Sequence, residues 1–448
     1  MYKKIMLAGV ITAALAAQSA GAKTLEEVLK EKGVITESDY NEVIKSSPKS
    51  TPIAYKLGNG FTFTSPDEKY QLIIGGQLQA RYTFTQRDGI NSVSDVSAWN
   101  IPRARTFFSG YVYNKDLTFK SYQDWAQLNT FSTGTNSNTS KVLLDTWLNY
   151  RIVDEAQLRV GQDKVQFSRQ YITSSALNEF VDNSFVTSAF APTYDTGLAV
   201  LGSVAKGLFT YSAAWVGGNG QNVVAADNNN SYNIRLTANP LGEVKYSESD
   251  VEGSAKPLLS LGGSYYHDAV RLNKDTLGVT TVENNNLGYL NTTSGWLGKN
   301  IGIFTTGNPA SENINVSMFE LDTAFKWQGL ALQAEYYWGQ ANSSSRSNKN
   351  LISRGAYAQA GYMVIPKTVE LSVRYNWMDY NAYATNSLKS EVQGAVSWYI
   401  NSHNLKIQGD VTSSSYQANA ATSNGAAAPK GGNSQTDTLF RTQAQILF

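Results

Sequence analysis

Few residues in this chain of 448 could make or break a covalent bond. There is no cysteine, which excludes disulfides, thiolate metal sites, iron–sulfur clusters and attached c-type haem. Two histidines, His267 and His403, leave little for zinc binding or general-base work. Glu320 and Asp322 stand two apart on one face of a strand pattern, but a hydrolase would need a nucleophile and a base beside them. No Ser–His pair can be placed there. Gly217-Gly218-Asn219-Gly220 opens no helix after a strand, so it reads as a loop and not a phosphate cradle. Asp227 to Asn230 reads as a solvated turn in preference to a Ca²⁺ loop. The expectation is no catalytic residue, no metal ligand and no cofactor.

The chemistry that remains is electrostatic, carried by charges set at a period of two. Alternation puts such residues on one face of a strand. Before residue 240 that face carries Arg81, Arg87, Arg103, Arg105, Lys120, Arg159 and Arg235, against Asp124 and Asp163. After it come Glu320, Asp322, Glu335, Glu370, Glu391 and Asp410, against Lys326, Arg374, Lys406 and Arg441. The first half of the pattern is net basic and the second net acidic. If both line one water-filled lumen, the basic wall draws anions without excluding cations. Arg81, Arg103, Arg105 and Lys120 cluster on three successive segments and are assigned to anion attraction. A channel dedicated to phosphate would carry an unbroken ladder of Arg and Lys to replace the water stripped from the ion. The pattern here is a cluster.

The elements that must position these charges are strands. In 369–377, Val369, Leu371, Val373, Tyr375 and Trp377 alternate with Glu370, Ser372, Arg374 and Asn376. Residues 72–84 and 330–338 behave alike. Such segments number about sixteen, centred near 78, 106, 121, 147, 159, 200, 211, 235, 262, 321, 334, 358, 373, 394, 408 and 442. Apolar residues on one face and charges on the other predict a wall between lipid and water. Composition agrees: charged residues are 16% and aromatics 12%, against about 25% charged in an ordinary soluble chain. Net charge is +1, far from the basic excess that nucleic acid wants. Short connections at Asn114-Lys115-Asp116, Lys206-Gly207 and Gln328-Gly329 alternate with long polar ones at 129–139, 217–230, 270–312, 341–350 and 415–435. Short turns on one rim and long loops on the other is the asymmetry of a transmembrane barrel. The chain ends Phe440 to Phe448, with Phe440, Ala444, Ile446 and Phe448 on one face.

Residues 1–22 read as a cleaved signal peptide: Lys3 and Lys4, a mostly apolar run from Ile5 to Ala17, then Ala20-Gly21-Ala22. That run is too short to span a bilayer as a helix. Residues 23–52 read as a short helical periplasmic segment and linker, with Leu25, Val28 and Leu29 on one face and Pro48 and Pro52 in the linker. Residues 53–448 form the third section. The fold class expected is all-β: a 16-stranded antiparallel transmembrane β-barrel in the outer membrane of a Gram-negative-type bacterium.

Several runs resemble the phosphate-selective porin O and P family. They are Gly60-Phe61-Thr62-Phe63 through Ser65-Pro66-Asp67 into Gly75-Gly76-Gln77-Leu78-Gln79, then Arg103-Ala104-Arg105. The most specific is Leu158-Arg159-Val160-Gly161-Gln162-Asp163-Lys164-Val165-Gln166-Phe167-Ser168-Arg169, followed by Thr173-Ser174-Ser175. The resemblance covers most of the mature chain and is sharp within 60–200. It implies an outer-membrane porin, usually trimeric, with an inward third loop at residues 164–193. In that loop Lys164, Arg169, Glu179 and Asp182 would shape a constriction. Family members often carry Arg where Gln77 stands and an acid where Arg81 stands, and Tyr194-Asp195-Thr196-Gly197 departs from the usual Arg-Asp start. Together the expected pore lining is Arg81, Arg87, Arg103, Arg105, Lys120, Arg159, Arg235, Glu320, Asp322, Glu335 and Arg374. The expected partners are small hydrophilic solutes and anions, outer-membrane lipid and two further copies of the chain. The expected function is passive diffusion with an anion preference, phosphate included. A non-selective or cation-tolerant porin and a structural or docking barrel for an electron-transfer or envelope partner stay open as alternatives.

Overall fold

The computed structural model describes residues 29–40, 53–87, 94–126, 141–224, 227–274, 280–282, 287–305, 312–417 and 435–448. The chain divides into two units, residues 1–52 and 53–448. In the first, residues 29–31 and 37–40 are helical. Thr36 starts the second piece: its amide donates to Asp39 Oδ2 at 2.9 Å and its hydroxyl accepts from the Asp39 amide at 3.2 Å, a reciprocal cap. The expected leader, residues 1–22, lies outside the described residues.

The second unit begins with a hairpin, β1 (Ile53–Lys56) and β2 (Gly60–Thr64). Then follow β3 (Gln71–Gln86), β4 (Val96–Tyr111), β5 (Leu117–Asp124), β6 (Leu143–Val153), β7 (Ala156–Lys164), β8 (Tyr194–Val204), β9 (Phe209–Val216) and β10 (Ser231–Ala238). The second half holds β11 (Leu258–Lys274), the short β12 (Thr280–Val282), β13 (Glu312–Trp327), β14 (Leu330–Ser343), β15 (Asn350–Ile365), β16 (Val369–Asp379), β17 (Leu388–Asn401), β18 (Leu405–Tyr416) and β19 (Gln435–Leu447). Consecutive strands pair antiparallel, and β19 pairs with β3 from Thr438↔Gln86 to Leu447↔Gln77. Setting aside β1, β2 and β12, sixteen strands close one barrel. Each of the sixteen centres read from the sequence falls inside one of them.

The wall is inverted relative to a soluble barrel. On β16, Glu370, Ser372, Arg374 and Asn376 are buried while Leu371, Val373 and Tyr375 are more than half exposed. This is the arrangement that lipid outside and polar contents inside select. At the seam, β19 ends and β2 continues the pairing along β3, from Phe61↔Ile74 to Thr64↔Gln71. The Phe448 amide donates to Gly76 O at 3.0 Å, and the Gly76 amide donates to Phe448 O at 2.7 Å. A Cβ on Gly76 would stand 2.6 Å from Phe448 Cζ. The Gly75-Gly76 pair is therefore where the terminal aromatic seats against the first barrel strand.

Six of the seven connections on the turn rim run two to five residues. The seventh, 239–257, corrects the expectation of uniformly short turns. It folds into the barrel and buries Val244, Glu248, Ser249, Asp250 and Val251. From the other rim, residues 165–193 and 287–305 also enter. Phe167, Val186, Phe190, Tyr289, Trp296 and Phe304 pack there against Tyr266, Met318, Tyr337 and Met378 of the wall. The apolar core thus lies inside the barrel, on the β11–β16 side. Strands β11 and β13 to β15 run 14–17 residues, whereas β5 to β10 run 8–11.

The seam yields a test. Gly76→Leu should displace Phe448 and lower barrel stability by about 1–3 kcal/mol, read as a lower temperature for the loss of the compact band in unheated gels.

Candidate functional site

Three arginines meet at the seam. Arg81 on β3, Arg103 on β4 and Arg441 on β19 all donate to the carboxylate of Asp182, at 2.7, 3.1 and 3.0 Å. Arg81 also donates to Gln443 Oε1 and to the Val181 carbonyl. Arg103 donates to Gln79 Oε1 at 2.7 Å, and Arg441 grips Asp410 through two nitrogens at 2.8 and 2.7 Å. Burial alone would push the Asp182 carboxyl up, but Arg103, Arg441 and Arg81 outweigh it and hold it below the usual carboxylate range. Asp182 remains ionised and partly wet, with 32% of its side chain exposed.

Next along the wall, each cation has a carboxylate. Arg105 donates to Asp124 at 2.8 Å, Lys120 to Asp145 at 2.5 Å and Arg159 to Asp163. Lys120 and Arg159 keep 32% and 21% exposure, so water reaches this wall. The opposite wall is different. Arg235 bridges Glu320 at 3.0 Å and Asp322 at 2.6 Å with no more than 4% of any of the three side chains exposed.

The third loop covers that wall. Glu335 accepts from Ser168 Oγ at 2.8 Å, from the Gln170 amide at 2.6 Å and from Tyr357 at 2.6 Å. Glu248 of the inserted turn accepts from Gln170 Nε2 at 2.6 Å and from the Glu179 amide at 2.8 Å. Glu370 accepts from Ser249 and Tyr399 at 2.8 and 2.6 Å. Glu179 Oε1 and Glu370 Oε1 meet over Gly361, where a Cβ would stand 2.4 and 2.7 Å from them. Two carboxylates in contact need a proton between them. Burial first, then Glu370 and Glu248, raise the Glu179 carboxyl well above its ordinary range, so the pair retains a proton. These contacts pin the loop and the turn to the acidic wall.

The positions expected to act as a group therefore separate. Arg81, Arg103, Arg105, Lys120, Arg159 and Asp182 come together along the wet side. Arg87 lies one residue past β3, its amide bonded to Asp95, away from the others. Arg235, Glu320, Asp322 and Glu335 are covered by protein. Arg374 is buried over the Phe180 ring and donates to the Asp182 carbonyl. Arg169 is buried too, donating to Ser260 Oγ and the Val244 carbonyl and stacking on Tyr246. Lys164 donates to the carbonyls of Tyr171, Ile172 and Thr173. His267 sits mid-strand in β11 near Ser317, and His403 lies in a turn against Tyr399. Asp145 was missed, although Trp147 and Asn149 at the same period marked its face. Glu248 was missed because nothing in the residues 239–257 signals that they turn inward.

Above the arginines a polar cavity of about 220 Å³ opens toward the loop rim, lined by Asn183, Lys299, Lys389, Glu391 and Arg441 among others. Burial and the neighbouring Lys389 bring the Lys299 ammonium down to about 8.

A family model described as phosphate-selective porin O and P matches residues 74–448. An uncharacterized protein of Aquifex aeolicus is 25% identical over 300 residues, 59% of this chain. The chain spans 66% of that relative's length. Among solved structures, an anion-selective porin from Comamonas acidovorans is similar at a TM-score of 0.54 and 10% identity, over 84% of this chain and 99% of that one. The outer membrane channel DcaP of Acinetobacter baumannii is similar at 0.52 and 11% identity, over 87% of this chain and all of that one. At such identities these two likenesses speak for the fold alone.

The Glu179 carboxyl sets a pH dependence. A carboxyl raised in the folded state contributes stability that is full below its unfolded pKa and is lost as pH rises through the folded value. Hydrogen-exchange protection of residues 176–184 should be greatest in acid and fall as pH climbs. Glu179→Gln should flatten that profile; an unchanged profile would remove Glu179 as its source.

Proposed function

The chain belongs to the phosphate-selective porin O and P family, and from that premise we propose a passive diffusion channel of the outer membrane with a modest preference for small anions. It works without bond chemistry. The observation that carries the preference is the unequal wetting of the two walls. The loop and the inserted turn seal the acidic wall, so a permeating ion passes the basic one. Six cations there, Arg81, Arg103, Arg105, Lys120, Arg159 and Arg441, face five carboxylates, Asp124, Asp145, Asp163, Asp182 and Asp410. Such near-balance supports a tilt toward anions and not a phosphate-specific filter, which would need unpaired donors to replace the hydration shell. Phosphate passes as one small anion among others. The third loop acts as the constriction, with Asp182 as its polar edge. The chain assembles as a homotrimer, as family membership suggests, after export with a cleaved leader.

Asp182 then sets how strongly the three arginines act on a passing ion. Removing one charge about 10 Å from the ion path in water changes an ion's energy by roughly 0.4 kcal/mol, with opposite sign for chloride and potassium. Asp182→Asn should therefore raise the chloride-to-potassium permeability ratio about fourfold, and Arg103→Gln should lower it comparably. Zero-current potentials in planar bilayers under a KCl gradient read both. Unchanged ratios in both variants would sink the proposal that this seam faces the ion path.

A further inference from the structure

We infer that the outer face of β13 to β16 holds a phosphate-bearing lipid of the loop-side leaflet, its acyl chain in a groove and its phosphate on Arg354. The inference rests on the barrel's place in the outer membrane and not on the channel's selectivity. Two contiguous hollows of about 470 and 550 Å³ open on this face, within the range of ordinary ligand sites, about 300–1,000 Å³. They share Thr323, Ala334, Ala358 and Tyr375. Register explains the shape. Thr323 pairs with Ala334 and Ala334 with Ala358, so short side chains stand abreast across β13, β14 and β15. Ala356 and Ala360 extend that floor along β15, to a length of roughly 13 Å. Strand propensity does not favour alanine; what alanines at alternate positions supply here is depth.

The rims are apolar. Leu321 and Tyr336 rise on one side and Val373 and Tyr375 on the other, all at least 40% exposed, the surface that hydrocarbon covers. An acyl chain laid between them meets rings and methyl groups on three sides, closer contact than a flat wall offers. Just past the floor the character changes. Arg354 is the next outward residue of β15 beyond Ala356. It stands eleven residues from Ile365 at the turn end. At about 3.3 Å per residue and a tilt near 45°, that is roughly 25 Å up, at the top of an apolar band about 25 Å tall. Trp338 pairs with Arg354 and Trp377 with Ala356, marking the level where interfacial aromatics gather.

Arg354 selects the headgroup. It is the only cation at an outward position of β13 to β17. Its side chain is 52% exposed, and Asp379, itself 12% exposed, stands 3.8 Å away, near the limit of an ion pair. Among the described residues its guanidinium makes no hydrogen bond. At the edge of the hydrocarbon such a group needs an anion beside it. Its planar fork of donors matches a phosphate through two parallel bonds. A soluble phosphate would leave the groove empty, whereas a lipid brings phosphate and chain on one molecule.

Native mass spectra of the full chain, purified from membranes and washed free of bound lipid in mild detergent, read the binding. Dimyristoyl phosphatidic acid should be retained at one molecule per chain. Dimyristoylglycerol, the same chains without phosphate, should bind about tenfold more weakly. Arg354→Gln should weaken phosphatidic acid about tenfold and remove that preference. Ala358→Phe, which fills the floor, should weaken both lipids. Val396→Phe, outward on β17 and paired with Leu371 beyond the groove, should change neither. Equal retention by the unmodified chain and by both groove variants would overturn the inference, as would equal retention of the two lipids. So would pairs of twice the chain mass on oxidation of Ala358→Cys in this cysteine-free chain, which would put a second copy on the face. Binding is read without ion flow. A barrel that holds the lipid but does not conduct would contradict the channel reading alone, and one that conducts but retains no lipid would contradict this inference alone.

Discussion

Asp182 accepts from guanidiniums on β19 and β3, the strands at which the two ends of the barrel meet, and on the adjoining β4. One carboxylate from an inserted loop thereby ties together the closing seam and the loop that narrows the interior. Three guanidiniums on neighbouring strands would repel one another unless an anion sat among them. The chain supplies that anion itself, from the middle of residues 165–193. The loop's position, the closed seam and the basic wall consequently depend on the same set of charge-assisted hydrogen bonds.

The opposite wall is held by a different logic. There Glu320, Asp322, Glu335 and Glu370 are buried and would be costly as isolated charges. Arg235 answers two of them, Tyr337 and Tyr357 donate to Glu335, and Tyr399 donates to Glu370. Ser168, Gln170 and Ser249 complete these sets from the two inserted segments. The carboxylates thus work as anchors for protein and not as a field for ions. The aromatic cluster around Phe190, Trp296 and Tyr337 adds apolar burial on the same side, while Lys120, Arg159 and Asp182 keep part of their side chains exposed on the other.

The sixteen strands and the inward face of each were legible because alternation reports directly which way a side chain points. The same signal says nothing of what stands opposite that face. Glu335 and Lys120 look alike in sequence, each a charge in an alternating run, yet one is sealed under Gln170 and the other is wet. Asp145 was within reach of the pattern, since it shares its face with Trp147. The inward course of 239–257 was not, because its buried residues are stabilised by Gln170, Arg169 and Lys326, partners far away in the chain. The roles of Arg169 and Glu179 were unreadable for the same reason: burial of a loop charge is a property of the assembled interior.

The central claim is that water follows the basic wall and is excluded from the acidic one. Its most direct measurement is the rate at which a small water-soluble thiol reagent modifies single cysteines in the inserted, conducting protein. Lys120→Cys and Arg159→Cys on the wet side should react readily and change the current. Gln333→Cys and Gln359→Cys, beneath the loop and turn, should resist the reagent until the barrel is unfolded. Equal reaction rates on the two walls would contradict the account, because the acidic wall would then be part of the passage.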